Sequence, residues 1–125
     1  MTNLGARVAV VDDDLSVRKA LERLLTASSF RIQTFGSAHD FMDSLASGVP
    51  DCLVVDIHMP DESGLDLHRR LRGSDRFVPT IVITAFDDAV IRARCMGAGV
   101  DAYLTKPIDG PTLIAALNAA IGRAT

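Results

Sequence analysis

The chain reads as an α/β protein with a five-stranded parallel sheet and helices on both faces. Three observations predict this. Short runs made almost wholly of apolar residues recur along the chain, as expected of strands buried on both sides. Between them lie stretches whose apolar residues fall at helical spacing. Each run stops at polar or turn-forming residues, and strand and helix alternate five times, which calls for parallel pairing and right-handed crossovers.

The first strand, Ala6-Arg7-Val8-Ala9-Val10-Val11, stops at Asp12-Asp13-Asp14. The helix after it, with Asp14 as N-cap, sets Val17, Ala20, Leu21, Leu24 and Leu25 against Arg18, Lys19, Glu22 and Arg23 on the other face. Phe30 to Phe35 alternates apolar and polar, as a strand with one exposed face does. Gly36 turns the chain into Ser37-Ala38-His39-Asp40, a capping box, and the short helix behind it buries Ala38, Phe41, Met42 and Leu45. Gly48 and Pro50 close that helix.

Asp51-Cys52-Leu53-Val54-Val55-Asp56-Ile57-His58-Met59-Pro60 follows, a doubly buried strand that ends on a carboxylate. Pro60 takes the chain out of the sheet. Ser63-Gly64 opens a third helix with Leu67 and Leu71 inward, closed by Gly73. Val78 to Thr84 is the fourth strand, and Asp87 to Met96 the fourth helix, stopped by Gly97-Ala98-Gly99. Asp101 to Thr105 is the fifth strand and runs into Lys106-Pro107. The last helix buries Leu113, Ile114, Leu117, Ala120 and Ile121.

Residues 1–125 suffice for one domain with a real core. A net charge of −3 without any Lys/Arg run argues against direct nucleic-acid binding. Cys52 and Cys95 lack metal or disulfide spacing and read as small core residues. The first residues lead straight into a strand, so no signal peptide is expected, and no apolar run reaches membrane-spanning length. A reduced, cytoplasmic protein is expected.

Five strands fit the flavodoxin-like order 2-1-3-4-5, which makes the first and third strands neighbours. Asp12, Asp13 and Asp56 then converge on one crevice, 44 positions separating Asp12 from Asp56. Thr84 lies 28 positions further on and Lys106 another 22, each at the end of its own strand on the same edge. Alone, Asp12-Asp13 is a turn and cap cluster, Thr84 a strand end and Lys106-Pro107 a loop. Together they form a phosphoryl-transfer constellation. Crowded carboxylates invite a cation, and Mg2+ prefers oxygen ligands from carboxylates and phosphate. Scattered histidines disfavour zinc, with His39 and His68 read as surface residues. Asp56 can then attack phosphorus as a carboxylate, Lys106 can meet the phosphoryl oxygens as a point charge, and Thr84 can donate to another of them. Ala85 leaves the group room.

These residues resemble the receiver domain of two-component response regulators over essentially the whole chain. The matching stretches are Val11-Asp12-Asp13-Asp14, Asp56-Ile57-His58-Met59-Pro60, Ser63-Gly64, Ile83-Thr84-Ala85, Gly97-Ala98 and Lys106-Pro107. Val17-Arg18-Lys19-Ala20-Leu21 and Ser37-Ala38-His39-Asp40-Phe41 look most like the nitrogen-fixation branch. The resemblance implies that Asp56 accepts phosphoryl from a sensor histidine kinase. It also implies that Asp13, Asp56 and the backbone carbonyl of His58 ligate Mg2+, with Asp12 acting through a water. A cis Lys106-Pro107 peptide is implied as well. Such a protein assists only its own phosphorylation and dephosphorylation; it is not an enzyme in the ordinary sense.

The family's switch, in which Thr84 moves toward the phosphoryl group and Tyr103 turns inward, remodels the fourth helix, fifth strand and fifth helix for an output domain or effector protein. Tyr103 reads equally as an edge-strand aromatic covering the core. The branch usually continues into a helix-turn-helix domain, whereas this chain stops after its fifth helix, so it is a stand-alone receiver or a piece of a longer regulator. Ile108 replaces the aromatic often found after Lys-Pro. The last helix turns Pro111, Ala115, Asn118, Ala119 and Gly122 outward, so a phosphorylation-dependent homodimer would use small residues there, reached by Arg92 or Arg94. His58 and Phe86 border the path of a hydrolytic water, which bulky Phe86 should hinder.

Three alternatives stand beside this reading. An Asp-nucleophile phosphatase wants a second carboxylate where His58 stands. A flavodoxin-like cofactor binder wants a phosphate-cradling loop where three aspartates stand. A phosphorylation-independent adaptor would share the fold.

Overall fold

The computed structural model describes residues 5–124; residues 1–4, on which the absence of a signal peptide was argued, lie outside them, as does residue 125. Five strands, β1 (Arg7–Val11), β2 (Arg31–Phe35), β3 (Cys52–Asp56), β4 (Thr80–Thr84) and β5 (Ala102–Thr105), form one parallel sheet in the order β2-β1-β3-β4-β5. The helices are α1 (Leu15–Ala27), α2 (Ala38–Ser44), α3 (Gly64–Arg72), α4 (Ala89–Gly97) and α5 (Gly110–Ala124). A 3-10 turn at Leu45–Ser47 follows α2 and was not anticipated. Several elements start one or two residues later than expected, β4 at Thr80 because Pro79 has no N–H for the ladder.

Asp14 and Ser37 cap their helices as expected, and Ser63, at the expected start of the third, does the same. Asp14 accepts from the Ser16 N–H, Ser37 from that of Asp40, and Ser63 from that of Asp66. Gly99 takes the left-handed conformation (φ 88°) just beyond α4.

Strand periodicity divides the core into two layers. Val8, Val10, Cys52, Val54, Ile81 and Ile83 pack with α1 and α5 through Leu21, Leu25, Leu113 and Leu117. Ala9, Val11, Leu53, Val55, Val82 and Tyr103 pack with α2, α3 and α4 through Phe41, Leu67, Leu71 and Cys95. Both cysteines are free and buried. Ile114 is half-buried, and of the α5 residues expected to face outward Asn118 is half-buried while Pro111, Ala115, Ala119 and Gly122 are exposed. Among the described residues no helix is long and apolar enough to cross a membrane.

Two residue placements fail. Ala20, expected on the inward face of α1, is exposed. His39 is exposed, but His68 is fully buried. It sits next to Leu67 and one turn from Leu71, so it falls on the inward stripe of α3, where its Nε2 meets the Ala98 carbonyl at 3.1 Å. Burial pushes its pKa below the ordinary 6.5, with Arg72 and Arg69 adding to the effect against the Ala98 carbonyl and Asp101.

Candidate functional site

The site follows from strand register. Val11 pairs with Val55, so Asp12 and Asp56 reach level tips of adjacent strands. Both also share the parity of Val10 and Val54, so their side chains leave the sheet on the α1/α5 side. Asp12 is 0% exposed and Asp56 6%, while Asp13 is exposed. One carboxylate oxygen from each of the three lies within 4.8 Å of the others, close enough to share a divalent cation.

Lys106 bridges this cluster. Its Nζ lies 2.8 Å from Asp12 Oδ2 and 3.0 Å from Asp56 Oδ2. Burial alone would lower the Lys106 pKa, but the hydrogen bonds and charges of Asp12 and Asp56 outweigh it and hold the pKa above the ordinary 10.5. The remaining oxygen of each aspartate accepts a backbone N–H: Asp14 donates to Asp12 Oδ1 (2.9 Å) and His58 to Asp56 Oδ1 (3.0 Å). Both buried carboxylates are thus oriented from two directions. The Lys106-Pro107 peptide is cis.

Thr84 stands apart from this cluster. It shares the parity of Val82 and so faces the α3/α4 side, as Tyr103 does from β5. Its hydroxyl donates to the Phe86 carbonyl and accepts from the Phe86 N–H, both at 3.1 Å. Ala85 is exposed, and Phe86 is 72% exposed with its ring set edge-on to His58 at 6.0 Å. Tyr103 is 6% exposed. The Arg92 guanidinium lies over the Tyr103 ring at 4.6 Å and is paired with Asp87.

The family model for the response regulator receiver domain matches residues 8–118. The chain belongs to that family. Among relatives of this receiver domain is the response regulator MprA of Mycobacterium tuberculosis, 37% identical over 120 residues, which cover 96% of this chain and 52% of the relative. The chain spans about half the length of the curated relatives it matches. A response regulator receiver protein from Burkholderia phymatum is 41% identical, with a TM-score of 0.83 covering 94% of this chain and 95% of that one. FixJ-N, the likeness expected from the α1 and α2 motifs, is 33% identical with a TM-score of 0.86, covering 98% and 96%.

Several supports of the receiver pocket were not legible in the sequence. Arg18 Nη1 donates to the Asp12 carbonyl at 2.6 Å, holding the tip of β1 from α1. A Cβ at Gly64 would lie 2.6 Å from the Asp56 carbonyl oxygen, so the start of α3 can touch the main chain of Asp56 only because residue 64 has no side chain. Asp61 reaches back to accept the His39 N–H (3.0 Å), a second cap on α2. The Ser63-Gly64 pair carried a signal for helix entry, but none of these contacts has a local signature.

Proposed function

We propose that residues 1–125 act as a single phosphorylation-activated receiver in which Asp56 is the phosphoacceptor. The observation that carries this reading is Lys106 Nζ placed between the oxygens of Asp12 and Asp56. A cation aimed at the attacking carboxylate is also aimed at the oxygens of a phosphoryl group joined to it. An Asp56 oxygen attacks phosphorus, the N–P bond of a kinase phosphohistidine breaks, and an acyl phosphate forms. Lys106 exchanges a carboxylate for a phosphoryl oxygen, and the Thr84 hydroxyl leaves Phe86 to donate to another.

The acidic set suits Mg2+, with oxygen donors only and an exposed Asp13 through which an ion can enter. Asp13, Asp56 and the His58 backbone carbonyl would hold it, Asp12 through a water, and it would supply charge neutralisation on the phosphoryl oxygens. The donor is a sensor histidine kinase. An apolar groove of about 380 Å3 between α1 and the segment after β5, lined by Val17, Ala20, Leu24, Pro107 and Ile108, opens beside Lys106 and gives it a surface to rest on. The response passes to an output domain or effector through α4, β5 and α5, and a homodimer of the phosphorylated form would use the small residues of α5.

Incubation with Mg2+ and acetyl phosphate followed by intact-mass measurement tests the reading. The expected result is an added phosphoryl mass that requires Mg2+ and is absent in Asp56→Asn. An unmodified protein would favour the phosphorylation-independent adaptor.

A further inference from the structure

Tyr103 poses a physical problem that its neighbours solve. Its ring is 6% exposed, and its hydroxyl is buried with no hydrogen-bond partner among the described residues. Leaving a buried hydroxyl unpaired costs free energy that an outward rotamer would recover from water. Something must therefore favour the inward position beyond ring burial. The guanidinium of Arg92, one turn into α4, lies over the ring at 4.6 Å. Arg92 is itself oriented by Asp87, both of whose oxygens its Nη2 reaches, at 3.1 and 3.2 Å. Asp87 directly follows Phe86, the residue whose main chain holds the Thr84 hydroxyl from both sides.

We propose that Arg92, anchored by Asp87, is a positioning residue that keeps Tyr103 turned inward before any phosphoryl transfer. Phosphorylation is then read out through the Thr84–Asp87 segment and Arg92, not through a swing of Tyr103 from solvent. Withdrawal of Thr84 from Phe86 shifts the loop that carries Asp87, while the Arg92 guanidinium stays over the ring. The surface presented to a partner changes at the Asp87–Arg92 pair, with the ring still covered. Only the phosphorylation half of this inference rests on the receiver reading; the lid itself exists without it.

The chain offers a clean probe, since Tyr103 is its one tyrosine and it contains no tryptophan. Tyrosine fluorescence quenched by acrylamide, a neutral quencher, reports exposure of that ring alone. The unphosphorylated protein should be weakly quenched. Arg92→Ala should shift the inward-to-outward ratio about two- to fivefold toward outward and raise quenching, the size expected for one cation–π contact. Asp87→Asn should act in the same direction less strongly. Arg94→Ala, on the same helix but away from the ring, should leave quenching unchanged. After acetyl phosphate and Mg2+ the ring should stay shielded. Quenching in Arg92→Ala equal to wild type would overturn the proposal. So would a ring that is freely quenched at first and shielded only on phosphorylation. Absence of phosphoryl mass in the same sample would count against the receiver reading, leaving the comparison of unphosphorylated variants to decide the lid.

Discussion

The two halves of the strand tips are held in opposite ways. On the α1/α5 side, Asp12, Asp56 and Lys106 form ion pairs whose carboxylates are almost fully buried, braced by the main chain of Asp14 and His58. On the α3/α4 side, the Thr84 hydroxyl bonds within its own loop, to the Phe86 main chain, and Tyr103 is covered by a half-exposed Arg92–Asp87 pair. Buried, multiply bonded charges are costly to disturb, whereas exposed pairs are worth little and exchange readily. The first half is built to keep geometry fixed for chemistry and the second to change state. Strand parity produces the division: Asp12 and Asp56 are level and share one face, whereas Thr84 lies one position beyond Ile83, the partner of Asp56, and takes the other.

That contrast can be broken at several points. The largest effect is expected at Lys106. Lys106→Gln leaves Asp12 and Asp56 facing each other without a cation, and should cost about 1–3 kcal/mol by denaturant titration without divalent ions. Added Mg2+ should restore part of the loss. Because the folded-state pKa of Lys106 is raised, its contribution is complete below about pH 10.5 and is lost only as pH rises through the higher folded value.

Gly64→Ala tests how tightly the fixed half is built. The new Cβ would press on the Asp56 carbonyl oxygen, so a loss of about 1–3 kcal/mol is expected together with slower phosphorylation. Gly73→Ala, at the other end of α3, meets nothing closer than 3.6 Å and has an ordinary helical φ of −81°. It should be near neutral. Equal effects at both glycines would mean that helix entropy, not the approach to Asp56, decides.

A smaller effect belongs to His68, which ties α3 to the end of α4. With its folded pKa depressed, the unfolded chain takes up a proton first as pH falls below about 6.5, so stability present above that value is lost below it. Comparing denaturant midpoints at about pH 7.5 and about pH 5.5 should show a drop that shrinks in His68→Leu. An unchanged drop would place the acid sensitivity elsewhere.

The smallest effect is kinetic. Phe86, exposed and edge-on to His58, stands on the Thr84 side of the pocket. Phe86→Asn should shorten the lifetime of the phosphorylated protein a few-fold by admitting water; a lifetime unchanged or longer would contradict this.

Apolar runs, caps and turn residues made the five strands and five helices readable, since these depend on local pattern; the strand order came from the flavodoxin-like fold type and not from any local pattern. Asp12, Asp13, Asp56 and Lys106 were readable as a group because each ends a strand and the strand order brings the tips together. Arg18, Asp61 and the close approach at Gly64 were not, because each contact depends on distances between elements that no local pattern encodes. His68 was misjudged for a related reason. A histidine looks polar in a sequence, and only the rotation of α3 reveals that it faces inward.

The most direct test of the central claim locates the modified residue. The protein is incubated with Mg2+ and acetyl phosphate, reduced with borohydride, which converts an aspartyl phosphate to homoserine, then digested and sequenced by mass spectrometry. Homoserine at position 56 alone is the predicted result. Homoserine at position 12 or 13, or none in a protein shown to be folded, would contradict the account.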